Sequence, residues 1–189
     1  MPTKRQPPPP PGPRAATRAK DSVYAKALAA QVAPVVQVRE PSVRYGPAHV
    51  SEVLVDSGPL IALFNAGDRW HAPVLAWLQA NPATALLSTW PVATEVCALL
   101  ARRIHNDAAL NFLRWAQRGG ITLNAAVEGS LAEVLRLSER FASLPFDLAD
   151  ASIAEAASRL KLRHVLSIDA DFDVYRDRAG RALVNLLVA

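Results

Sequence analysis

The sequence predicts an α/β domain, a mainly parallel sheet flanked by helices, preceded by a proline-rich basic segment that joins neither. Short apolar β-type runs alternate with longer helical patterns over residues 51–189, the alternation that builds parallel sheets. Ten of the 15 prolines fall in residues 1–50, so regular structure starts after them. Charge divides at the same point. Residues 1–50 hold eight cations and two anions, a net +6, whereas residues 51–189 hold 13 cations and 15 anions, a net −2.

The elements follow in order. Pro7 to Pro11 is an unbroken run that adopts polyproline II and offers no backbone donors. Residues 1–20 therefore read as a disordered, solvated tail, and 21–33 as a short helix opening at an Asp or Ser cap. Val53-Leu54-Val55 is a brief strand ending at Asp56, after which Ser57-Gly58-Pro59 turns the chain into Leu60 to Asn65. His71 to Gln79 reads as a helix, Ala85 to Ser88 as a second strand, and Pro91 opens a helix to about Arg103, proline suiting a first turn. A helix from Asn106 to Gln117 stops at Gly119-Gly120, before a short strand at Ile121 to Leu123. Val127 to Phe141 and Asp147 to Leu160 are helical in spacing, with the strand His164 to Ile168 after them and a β-type run from Arg181 to Val188 at the end. The domain expectation is thus an extension at 1–50 and one α/β domain at 51–189.

Composition removes several function classes. A single cysteine excludes an intramolecular disulfide framework and a cysteine zinc site. No apolar run reaches the length of a membrane span, so a soluble, cytoplasmic chain with no membrane partner is expected. There is no G-x-x-x-x-G-K-[ST], G-x-G-x-x-G or G-x-S-x-G, the loops for nucleotides and serine nucleophiles.

Carboxylates carry the positive signal. Glu95 has Pro91, Val92, Ala98 and Leu99 as its helical neighbours, and a charge on an apolar stripe is costly unless paired or bound to metal. Asp150 repeats this beside Ile153 and Ala154, with Asp147 one turn earlier as a natural cap. Asp56 and Asp169 each directly follow an apolar strand, and ligands bind open α/β sheets beyond the carboxyl ends of strands. Asp169, Asp171 and Asp173 mimic the start of a calcium loop, but Val174 stands where that loop needs Gly and Gly180 where it needs Glu. Oxygen-rich clusters of this kind hold hard divalent cations, Mg²⁺ or Mn²⁺, one or two per site. Such ions activate water and stabilise charge on a phosphodiester.

V-L-V-D-S-G-P-L-I-A-L-F from Val53, A-T-E-V around Glu95, D-L-A-D-A-S-I-A-E-A-A from Asp147 and S-I-D-A-D-F from Ser167 resemble the PIN domain, a Rossmann-like fold. Within it they are most similar to the VapC-type toxins of toxin–antitoxin pairs, over Glu52 to Ala189 and in the family's order. The resemblance implies that Asp56, Glu95, Asp150 and Asp169 form an acidic, metal-binding catalytic quartet, with Asp147 and Asp171 auxiliary. Ser57 and Ser167 would orient carboxylates or water; Ser167 stands where the family more often has Thr. It further implies a metal-dependent endoribonuclease leaving 5′-phosphate and 3′-hydroxyl ends, a homodimer, and a small inhibitory antitoxin. Arg176, Arg178 and Arg181, close after Asp169, are the expected RNA phosphate contacts, since arginine suits bidentate phosphate binding. Two other readings stay open: a housekeeping RNA-processing nuclease, and a PIN-like module that binds RNA or protein without cutting.

Overall fold

The computed structural model describes residues 50–142, 147–177 and 179–187. The extension before Val50, its expected helix at 21–33, and Arg178 lie outside the described residues.

Val53, Leu54 and Val55 are buried on both faces, so β1 (Glu52–Val55) sits mid-sheet, where parallel strands read as continuous apolar runs. Around it run β2 (Ala85–Thr89), β3 (Thr122–Asn124), β4 (His164–Leu166) and β5 (Val184–Asn185), in the order β3-β2-β1-β4-β5. Every pairing is parallel. The chain moves outward from β1 to β3, then returns to lay β4 on the other side of β1. This reversal between β1 and β4 opens a crevice at their carboxyl ends.

The intervening helices are α1 (Ser57–Leu63), α2 (His71–Ala80), α3 (Trp90–Arg103), α4 (Asn106–Gln117), α5 (Ser130–Arg140), α6 (Leu148–Leu160) and α7 (Asp171–Val174). The expected turn after Asp56 is already helical, because the Asp56 side chain caps it and Pro59 falls within the first turn, where its missing N–H costs nothing. The helix expected from Val127 starts three residues later, behind the left-handed Gly129 (φ 86°). Leu137 is its buried anchor, whereas Leu131 and Leu135, one turn apart on the other side of the helix, are exposed. The strand expected to reach Ile168 ends at Leu166, and the C-terminal run pairs only at Val184–Asn185.

Helix α3 packs on α1, α4 and α6, and α5 packs on α6. Buried Glu155 on α6 accepts from Ser130 Oγ on α5 at 2.9 Å and from Arg159 Nε at 2.9 Å, so its burial leaves a satisfied charge. Phe64, Phe112 and Trp115 form an edge-to-face cluster with centroids 5.6–6.3 Å apart. A Cβ on Gly120 would overlap the Trp115 indole. Gly120→Ala should therefore lower stability by about 1–3 kcal/mol, the usual cost of overpacking, read as a reduced urea midpoint at unchanged slope.

Candidate active site

Asp56 is the first residue past β1, and its N–H donates to Leu166 O at 3.0 Å, continuing the β1–β4 ladder to the crevice. The side chain is only 3% exposed. Oδ1 accepts from the Ser57 backbone N–H at 2.6 Å and Oδ2 from Ser167 Oγ at 2.9 Å. Ser167 Oγ also accepts from the Asp169 N–H at 3.1 Å. One buried hydroxyl thus joins the two strand ends bearing the first and last expected carboxylates. Ser57 fixes Asp56 through its amide.

Two contacts that sequence reading missed support this junction. Asn185 in β5 is buried and clasps the β4 exit. Its Oδ1 accepts from Ser167 N–H at 3.3 Å, and its Nδ2 donates to Ser167 O at 3.0 Å and Asp169 O at 3.4 Å. Its one signal is a lone polar residue within the apolar A-L-V-N-L-L-V run. Asn185→Ala should cost about 1–3 kcal/mol for the orphaned backbone groups. Turnover should fall by roughly 10- to 100-fold through misplacement of Asp169, to be measured as denaturation midpoint and kcat on the same preparation. The second contact is Thr89 Oγ1 to Ser152 Oγ, 2.6 Å and buried. It ties the start of α3 to the first turns of α6, and so sets Glu95 and Asp150 relative to one another.

Glu95 is half-buried at the edge of its apolar stripe, beside buried Val92 and Val96, rather than at the stripe's centre. Asp147 is exposed and caps α6, accepting from Ala149 and Asp150 N–H at 2.7 and 3.1 Å. Asp150 returns a long 3.4 Å contact from the Asp147 N–H, so capping engages both residues. Asp169 is exposed, and Asp171 opens α7 half-buried.

The electrostatics connect these groups. Burial pushes Asp56 up to about 6, against the lowering pull of the Ser57 and Ser167 hydrogen bonds, and the charges of Asp169 and Glu95 push it further. Burial likewise raises Asp150 to about 7, with Asp56, Asp147 and Asp171 adding repulsion. Asp56 is thus coupled to Glu95, Asp169 and Asp150, and Asp150 in turn to Asp147 and Asp171. Among the described residues, no group of three or more His, Cys, Asp or Glu side chains is close enough together to hold a metal ion by itself. The chemistry of the donors, carboxylate oxygens at an open rim, suits a hard divalent cation that retains waters and takes one or two carboxylates together with substrate phosphate.

Arg176 and Arg181 are engaged within the protein. Arg176 Nη1 donates to Asp173 O at 2.6 Å and Tyr175 O at 2.8 Å. Arg181 is paired with Asp177 at 2.9 Å and precedes β5, at the amino ends of the strands.

Ribonuclease VapC26 of Mycobacterium tuberculosis strain H37Rv is 26% identical over 117 residues, covering 62% of this chain and 86% of that protein. The crystal structure of M. tuberculosis VapC20, a toxin that cleaves the sarcin-ricin loop, superposes with a TM-score of 0.61 at 21% identity, covering 70% of this chain and 98% of that one. The family model for the PIN domain matches residues 53–177, from within β1 to just past α7. With the parallel sheet and the acidic crevice at its switch point, that match means the chain belongs to the PIN domain family.

Proposed function

We propose that the chain is an endoribonuclease dependent on Mg²⁺ or Mn²⁺, the toxin of a type II toxin–antitoxin pair, acting in the cytoplasm as a homodimer restrained by a cognate antitoxin. Residues 51–189 are the nuclease, and residues 1–50 are an appended basic segment. The observation that carries this reading is Asp56, buried at the β1–β4 switch point, locked to Ser167 and electrostatically coupled to Glu95 and Asp169. The likeness to VapC ribonucleases supports RNA as the substrate. Among the described residues, no helix is long and apolar enough to cross a membrane.

Asp56, Glu95, Asp150 and Asp169 would hold the ion, with Asp147 and Asp171 at the rim. When bound, it supplies positive charge for the phosphate and a more acidic water. The protein's own part is positional. Ser57 N–H and Ser167 Oγ hold both Asp56 oxygens, Ser167 ties Asp169 to the same point, and the Thr89–Ser152 bond brings α3 and α6 together. Induced expression should arrest bacterial growth, and Asp56→Ala should relieve the arrest. RNA cleavage without arrest would instead favour a housekeeping nuclease.

A further inference from the structure

A second concavity lies at the amino ends of the strands. It is a cavity of about 330 Å³ lined by the end of α6 and the segment before β5, including Lys161, Arg163, Tyr175, Asp177 and Arg181. Arg163 directly precedes β4 and Arg181 lies just before β5. Both strands are parallel, so these cations gather at the amino ends, roughly 10 Å of strand away from the carboxylates.

The cations are not equally engaged. Arg181 is neutralised by Asp177, whereas Lys161 and Arg163 form no ion pair among the described residues. Arg163 Nη2 donates to Ala182 O at 2.6 Å, which fixes the guanidinium, but its Nε is buried with no acceptor among the described residues. Buried donors are normally satisfied. Capping of α6 does not explain the pair of cations, because Lys161 and Leu162 backbone N–H groups already serve the last carbonyls, with Lys161 left-handed at φ 58°.

We propose that this cavity is an RNA exosite, holding a backbone phosphate of the substrate away from the scissile bond. The inference rests on the ribonuclease reading. Residues 51–189 carry a formal charge of −2, so binding of RNA draws on cations outside the carboxylates themselves, in this cavity as well as in residues 1–50. A guanidinium held by its bond to Ala182 O, lining the same cavity as an ammonium with no ion pair among the described residues, suits a phosphate.

The test uses the full chain. Binding of RNA to cleavage-dead Asp56→Asn protein is measured across salt concentrations, with and without Lys161→Glu and Arg163→Gln. Each change should weaken binding about tenfold and lower the salt slope by about 0.7–1. In cleavage-competent protein the same changes should raise KM and leave kcat unaltered. Lys161 is exposed, so its variant reports on binding even if Arg163→Gln unfolds the chain. Inorganic phosphate should compete with RNA for the unsubstituted chain more strongly than for the variants. If the chain cleaves RNA and Lys161→Glu changes neither slope nor KM, the exosite is overturned alone. A chain that cleaves no RNA overturns the ribonuclease reading and the exosite with it.

Discussion

Asp56→Asn should reduce RNA cleavage by about 10³-fold or more, with the fold retained. Charge stabilisation by a held metal contributes several kcal/mol to the transition state, and each 1.36 kcal/mol is tenfold in rate. Asn keeps the shape of the side chain but removes the one buried charge at the switch point. It also cannot accept from both Ser57 N–H and Ser167 Oγ, which now occupy the two oxygens, so one bond must be lost or reversed. Losing that bond costs about 1 kcal/mol. Relief from burying a disfavoured carboxylate offsets it, so the melting temperature should hardly move. A parallel loss of activity and of folded protein would mean that Asp56 is structural.

Stability should fall as pH rises from about 4 to about 7, the reverse of ordinary acid denaturation. In the unfolded chain Asp56 titrates near 3.8, and in the folded chain near 6. Within that window the folded state binds more protons, so unfolding becomes easier as pH increases. Asp56 alone contributes roughly 2–3 kcal/mol, complete below its unfolded value and gone above the folded one. Asp150, raised to about 7, extends the decline, but by less than its shift suggests because the residue is only half-buried and water screens it. Asp177 is lowered by its bonds to Arg181 and acts in the opposite sense. A bound divalent cation inverts this local logic by favouring the ionised carboxylates. Mn²⁺ or Mg²⁺ should therefore raise the melting temperature at pH 7.5 more than at pH 5, and Asp56→Asn should abolish the difference. Equal metal shifts in both proteins would place the ion elsewhere.

The parts of this site legible in the sequence are those written in consecutive residues. Asp56 and Asp169 each terminate an apolar run, which marks a strand's carboxyl end. Glu95 interrupts a helical apolar pattern, and the D-L-A-D opening of α6 advertises its cap. What stayed hidden is long-range. The Thr89–Ser152 bond spans 63 positions and the Asn185 clasp 18, and nothing local distinguishes these polar residues from surface ones. Helix α5 carries leucines on both sides, Leu131 and Leu135 on one and Leu137 on the other, and spacing alone cannot tell which side meets α6; Leu137 is the buried one. The arginines after Asp169 look adjacent to the carboxylates in sequence, yet the return to β5 carries Arg181 to the amino ends of the strands. Net charge misleads for a similar reason. The chain's positive balance arises from residues 1–50, whereas residues 51–189 are slightly acidic.

Everything proposed for this crevice depends on its carboxylates working through a divalent ion on RNA. Purified chain should be incubated with structured RNA in Mn²⁺ or Mg²⁺, with and without chelator, beside Asp56→Asn and Asp169→Asn preparations made identically. Cleavage leaving 5′-phosphate and 3′-hydroxyl ends, abolished by chelation and by either substitution, is the expected result. Undiminished cleavage in chelator, or by either variant, would show that the acidic crevice is not the catalytic centre.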